Sequence, residues 1–362
     1  MSDIKNNASG CPMKKTSIGG QALIEGIMMK GPKKISMAVR NPEGDIVIEN
    51  WDADQSTKSK IYTMPFFRGI FGFIDSMKFG YKCLMRSAEI AGLEDNTTNK
   101  NSTPKYDSIT DENIDCLGSK NVPKSDDVGC NKKTDGAIAP WAMNMIMVIA
   151  SVLGVVLSLL LFKALPEVLY ELLTKLIPAL KGSGYGYSLL RAIFIGIIKI
   201  AILIAYMLLV SLMNDIKRTF MYHGAEHKSI VCYEKGLELT VENVRAQRRF
   251  HPRCGTSFLI LMMLVGIFIT MFIPAEISSN GALNVVIRTL ISLALLPLMM
   301  SIGYELIKLA GKHDNWFTKF ISAPGLWLQR ITTKEPEDGM IECAIIALKN
   351  VIPDDDSDNW VK

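Results

Sequence analysis

Apolar residues in this chain come in blocks separated by polar stretches. Residues 139–162 carry no charge, 192–212 carry only Lys199, 256–273 carry none, and 283–304 carry only Arg288. A helix needs roughly 20 apolar residues to cross a bilayer core of about 30 Å, so four spans are predicted. Trp141 suits the interface at the start of the first. Between the first two, Leu169, Leu172, Leu173, Leu176, Ile177 and Leu180 recur at helical spacing. That stripe predicts an amphipathic helix over 166–181 lying along the membrane surface.

The chain before the spans follows other periods. Residues 35–40 and 46–51 read as strands around the turn cluster Asn41-Pro42-Glu43-Gly44-Asp45. A lone hairpin is marginal and must pack on something. Over 66–91, Phe66, Ile70, Phe73, Ile74, Met77, Tyr81 and Leu84 recur at helical spacing beside Arg68, Lys78, Lys82 and Arg86. Such a helix suits the membrane interface or the face of the hairpin equally. The glycine-rich run 18–32 lacks the spacing of a Rossmann fingerprint or a P-loop and is expected to pack irregularly. Residues 94–136 are almost all polar and cannot offset the entropy of ordering, so a disordered linker is expected. Beyond the last span, Glu335, Glu337 and Asp338 precede Ile341, Ala344, Ile345 and Leu348, the pattern of a helix with acids at its N-terminus. The chain then divides into a loose 1–16, an α+β portion 17–93, the linker 94–136, a membrane domain 137–321 with a polar loop at 215–255, and a helical tail 322–362 whose acidic last ten residues fray.

Composition supports the apolar blocks: 49% of residues are hydrophobic and the mean hydropathy is +0.21. A net charge of +4 gives no reason to expect nucleic acid. Seven scattered cysteines without a CxxC pair argue against a disulfide framework or a four-thiolate zinc site. No apolar stretch follows Met1, so no cleavable signal peptide is expected. The loop 215–255 holds eight Lys and Arg, whereas 274–282 holds none. The positive-inside rule therefore places that loop and both termini in the cytoplasm of a plasma-membrane protein.

Three of the four histidines fall in that loop. His223 and His227 are four apart, so on a helix they share a face, with Glu226 beside them. This is the H-x-x-E-H arrangement of inverted zincins, in which two His bind the metal and the Glu acts on bound water. A catalytic zinc needs a third protein ligand and an open position. His251 ranks first for it, Glu305 second and Cys254 third. The competing interpretation is a polar cap in which the histidines only hydrogen-bond. Arg245, Arg248, Arg249 and Arg253 suit either an anionic substrate or lipid headgroups, or plain solvated charge.

Four separated segments carry a family resemblance: Gly19-Gly20-Gln21-Ala22-Leu23-Ile24-Glu25-Gly26-Ile27-Met28-Met29, Tyr222-His223-Gly224-Ala225-Glu226-His227-Lys228, His251-Pro252-Arg253-Cys254-Gly255-Thr256-Ser257-Phe258 and Thr332-Thr333-Lys334-Glu335-Pro336. In this order they resemble the YqhQ family, bacterial membrane proteins with a domain of unknown function. The resemblance implies a metal-dependent enzyme without an established reaction. That implication rests on the same histidines and glutamate.

The expected fold is mainly α: a polytopic integral membrane protein with about four transmembrane helices and a small N-terminal α+β portion, a β-hairpin plus an amphipathic helix. The expected function is a metal-dependent, zinc-type hydrolase at the cytoplasmic membrane face. His223, His227 and His251 would hold the divalent ion, zinc being the expected cofactor, and Glu226 would be the general base. The lipid bilayer is the expected partner, a homo-oligomer is compatible with the sequence, and the substrate is not legible. One alternative is a non-catalytic assembly or regulatory protein with a structural His cluster. A transporter is less favoured, because the spans carry few charges and show no paired broken helices. The charge bias makes one prediction directly. A cysteine placed at position 240 should resist impermeant thiol reagents applied to intact cells, and labelling from outside would overturn the orientation.

Overall fold

The structure is a computed structural model that describes residues 14–53, 64, 67–92, 140–180, 182, 184–274, 277–278, 280–312 and 315–359. Four strands, β1 (Gly19–Leu23), β2 (Gly26–Lys30), β3 (Lys34–Arg40) and β4 (Ile46–Asp52), form an antiparallel sheet in the order β1-β2-β3-β4. The expected hairpin is β3–β4. The glycine-rich run is not irregular, as expected, but supplies β1 and β2. Its strand character is hidden because helices cover both sheet faces. Leu23, Met28, Ile35, Met37 and Val39 join one core, while Ile27, Met29 and Ala38 join the other. A strand buried on both sides shows no alternation of apolar and polar residues.

Helix α1 (Phe67–Ile90) packs on one face of the sheet through the buried small residues Gly80, Cys83 and Ser87. Its large apolar residues face outward: Met77 is 59% and Tyr81 61% exposed, and Phe73, Ile74 and Leu84 are exposed as well. The periodic apolar residues are therefore largely the outer face, and the small residues Gly80, Cys83 and Ser87 face the sheet.

The apolar blocks fold differently from four plain spans. Helix α2 (Pro140–Leu159) passes through a π turn at Leu160–Ala164 into α3 (Leu165–Leu176), and Val148–Leu176 is one continuous apolar helix of 29 residues. No separate surface helix begins at 166. The π turn lies next to Pro166, which lacks the backbone donor the α ladder would use. Helix α4 (Tyr185–Val210) is likewise long and apolar enough to cross a membrane. Helix α5 (Asn214–Glu234) and the short α6 (Val241–Arg245) follow. Helix α7 (Gly255–Thr270) has 16 residues, a length of about 24 Å at 1.5 Å per residue, short of a core of about 30 Å. The expected fourth span is two helices, α8 (Gly281–Ala294) and α9 (Leu296–Lys312), bent by 44°. Pro297 sits at the bend, again a missing donor. Among the described residues, two helices are long and apolar enough to span a membrane, or three if the bent pair counts as one, rather than four.

Helix α10 (Trp316–Thr332) packs on α7 and α9, and α11 (Asp338–Lys349) lies with α5 on the second face of the sheet. The helix at the C-terminal side is thus part of the core on that face of the sheet. Nor is 353–359 loose, residues 360–362 lying outside the described residues: Asp358 is fully buried and accepts from Thr16 Oγ1 at 2.8 Å and Tyr233 OH at 2.9 Å, with Lys14 Nζ also at 2.9 Å. The linker 94–136 lies outside the described residues, as does 1–13.

Lys334 donates its N–H to Phe220 O at 2.9 Å, bringing the segment after α10 against Gly224 of α5. A Cβ at position 224 would collide with the Lys334 carbonyl oxygen. Gly224→Ala should therefore lower stability by about 1–3 kcal/mol through overpacking. Thermal unfolding of the purified variant measures this, and an unchanged midpoint would count against the close approach.

Candidate metal centre

On α5, His223 and His227 stand one turn apart with ring centroids 4.4 Å from each other. Each ring commits Nδ1 to a backbone carbonyl: His223 to Thr332 O at 2.9 Å, His227 to Arg249 O at 2.6 Å. A carbonyl at Nδ1 makes that nitrogen the donor, so Nε2 is the atom that offers a lone pair whenever the ring is neutral. His223 Nε2 is 3.1 Å from Cys254 Sγ, and His227 Nε2 is buried with no hydrogen-bond partner. One ligand atom from each of His223, His227 and Cys254 lies within 4.8 Å of the others.

Cys254 is the N-cap of α7, and its sulfur accepts from Thr256 N–H. Burial opposes the thiolate, but His223 and His227 beside it bring the thiol well below its usual range. A helix N-terminus favours the same anionic form. Burial likewise opposes charge on His223, yet the adjacent Cys254 and Glu226 push it up to about 9. Glu226 is buried, and burial raises its carboxyl against the pull of the two histidines. Its Oε1 accepts from Gly20 N–H at 3.1 Å, while Oε2 is buried without a partner. Glu226, His227, His251 and Cys254 line a hollow of about 210 Å³ against Gly19 and Gly20 of β1. Buried polar atoms without partners are rare unless an ion or water completes them. Two imidazoles, one thiol and an adjoining hollow match the donor set of a catalytic zinc, which keeps one position open.

The residues singled out in the sequence do not all converge. His251 lines the hollow, with its ring centroid 5.8 Å from that of His227. Its Nε2, however, faces Glu234 Oε2 at 3.4 Å, and Arg253 stands beside both. Burial first, then Arg253, lowers its proton affinity, although Glu234 works the other way. Cys254, ranked last as third ligand, meets the histidine pair instead, because the chain turns into α7 at that residue. Glu305 is bound by Arg68 of α1, with Nε to Oε1 at 2.7 Å, and is not part of the cluster. Three of the four arginines are held in ion pairs: Arg245 to Asp338, Arg249 to Glu335 and Arg253 to Glu234. Arg245 and Arg248 are both exposed, in keeping with solvated charge.

Some contributors gave little sign in the sequence. Gly20 lies in a segment noted only for its glycines, and it reaches Glu226 because β1 runs alongside α5. Gln329 is fully buried on α10; its Oε1 accepts from His251 N–H at 2.9 Å and its Nε2 donates to His251 O at 2.7 Å and Ser257 Oγ at 3.0 Å. No spacing pattern announces it. Glu234 is detectable in principle, being two helical turns after His227 on the same face of α5.

A family described as "Protein of unknown function (DUF1385)" matches residues 64–354. The chain is also similar to the "Uncharacterized protein YqhQ" of Bacillus subtilis (strain 168), at 32% identity over 336 residues and 92% of each chain. No solved structure matches. The chain belongs to the DUF1385 family and is YqhQ-like.

Gln329 clamps the loop that delivers Cys254, so Gln329→Leu should strand two buried backbone groups at about 1–3 kcal/mol each. Chemical denaturation of the variant beside wild type should show that loss. Equal midpoints would mean that the loop is held by other contacts.

Proposed function

We propose that this member of the DUF1385 family is a metal-dependent hydrolase at the cytoplasmic face of the plasma membrane, with a zinc-type ion held by His223, His227 and Cys254. The carrying observation is the convergence of two imidazoles and one thiol within 4.8 Å, both Nδ1 atoms being tied to carbonyls. Such an ion, when bound, lowers the pKa of water to about 7 and polarises a carbonyl or phosphoryl oxygen. Glu226 is the general base. Gly20 fixes one of its oxygens and leaves the other unpaired in the site. Its raised proton affinity suits a group that must take a proton and give it back near neutral pH. An adjoining hollow of about 430 Å³ shares Ser17, Gly19 and Gly20 with the first and reaches Phe79 and Tyr304, giving room for the rest of a substrate. The apolar helices support membrane association, and the Lys/Arg bias supports a multi-pass chain with both termini and the site on the cytoplasmic side.

A second reading has one observation in its favour. Cys254 Sγ lies 3.1 Å from His223 Nε2, whose Nδ1 is oriented by Thr332 O. Those are the parts of a thiolate nucleophile with its base.

Metal analysis with complementation of a deletion strain separates the two. In the hydrolase, wild type holds one ion per chain, His223→Ala, His227→Ala and Cys254→Ser lose it, and Glu226→Gln keeps it while losing activity by about 10²–10⁴-fold. In the thiolate enzyme, wild type purifies without an ion and alkylation of Cys254 abolishes function. Full complementation by Glu226→Gln would sink the hydrolase proposal, as would metal-supplemented wild type without bound ion.

A further inference from the structure

Two hollows meet among the apolar helices, away from the histidine cluster. The smaller, of about 20 Å³, is bounded by Lys163, Glu167, Lys199, Thr270, Arg288 and Ser292. The larger is a groove of about 550 Å³ with almost wholly apolar walls, among them Phe162, Leu203, Met207, Met263 and Leu293. Lys163 and Lys199 line both. Among the described residues, neither lysine has a hydrogen-bond or ion-pair partner, whereas Glu167 is bound by Arg191 at 2.6 Å and Arg288 donates to Pro274 O. Four cations thus stand around one carboxylate, an excess of three positive charges. Unbalanced charge among apolar helices is costly and marks a place where an opposite charge enters. A mostly apolar groove with a few convergent polar groups at one end is the usual form of a ligand site.

We propose that this groove holds an acyl chain of an anionic membrane lipid, with its phosphate headgroup between Lys163 and Lys199. The apolar walls accept the chain, and the two unpaired ammonium groups supply the charge that a zwitterionic lipid would not repay. The site is separate from the metal centre: Lys199 lies mid-way along α4, whose far end leads into α5. The proposal rests on the membrane-spanning reading and is independent of the hydrolase reading.

The test uses the detergent-purified full chain, mixed micelles and native mass spectrometry. Wild type should retain one dioleoyl phosphatidate per chain, with about a tenfold preference over dioleoyl phosphatidylcholine. Inorganic phosphate at the same concentration should not displace it. Lys163→Gln combined with Lys199→Gln should bring the two lipids close to parity. Gly266 lines the groove, and a Cβ there would meet only Met299 Sδ, at 3.6 Å. Gly266→Leu should therefore weaken phosphatidate retention by obstructing the groove while leaving every charge in place. Equal retention of both lipids by wild type overturns the proposal. Displacement by inorganic phosphate, or an unchanged preference in the lysine variant, does the same. If the lysine variant fails to fold, Gly266→Leu decides, and undiminished retention overturns it. Release of the protein from membranes by alkaline carbonate without detergent would overturn the spanning reading and the proposal together. Equal retention of both lipids by a wild-type protein that needs detergent for its release overturns the proposal alone.

Discussion

From Gly224 to Cys232 every residue of α5 is buried, and Glu226, His227, Lys228 and Ser229 are among them. Burying such groups without partners costs several kcal/mol, most of all for charges. The surrounding chain meets this cost locally. Gly20 N–H serves Glu226, Arg249 O serves His227, and Ser229 Oγ donates to Glu226 O. Lys228 Nζ reaches Arg245 O at 2.9 Å and Glu335 at 2.7 Å. Strand β1, the loop before α7 and the segment after α10 are thus gathered around one polar helix. What is left unpaired at the centre is His227 Nε2 and Glu226 Oε2.

The sheet makes that gathering rigid. Glu25, at the β1–β2 turn, accepts from Arg218 at 2.5 and 2.6 Å and from Tyr222 at 3.3 Å, so the turn is pinned to the start of α5. On the outer side, α11 closes the same core with Ile341, Ala344 and Leu348. Helix α7 links the two candidate sites, with Cys254 as its N-cap and Thr270 in the wall of the basic hollow. Its 16 residues separate them by about 24 Å. Its apolar packing therefore sets where the thiol stands.

Legibility differed by the kind of signal. The β3–β4 hairpin, the helix after residue 66 and the C-terminal helix were visible because local periods and turn residues specify them. Strands β1 and β2 were not, since Ile27 and Met28 point to different cores and both are buried. The bent pair α8–α9 and the merger of α2 with α3 were missed for a related reason. Hydropathy registers how apolar a stretch is, but not where a proline such as Pro297 or Pro166 changes its path.

For the site, spacing alone determined that His223 and His227 share a helix face with Glu226 nearby, because a helix repeats every 3.6 residues. Spacing also set His251 and Cys254 three residues apart in one short segment, as candidates for a third ligand beside Glu305. Which of the two meets the histidines was decided only in three dimensions. His251 is turned to Glu234 and clamped by Gln329, while the start of α7 turns Cys254 toward His223. The carbonyls of Thr332 and Arg249 and the N–H of Gly20 are backbone groups. Every residue type carries them, so no sequence pattern can mark them, and only tertiary packing selects which ones face the site.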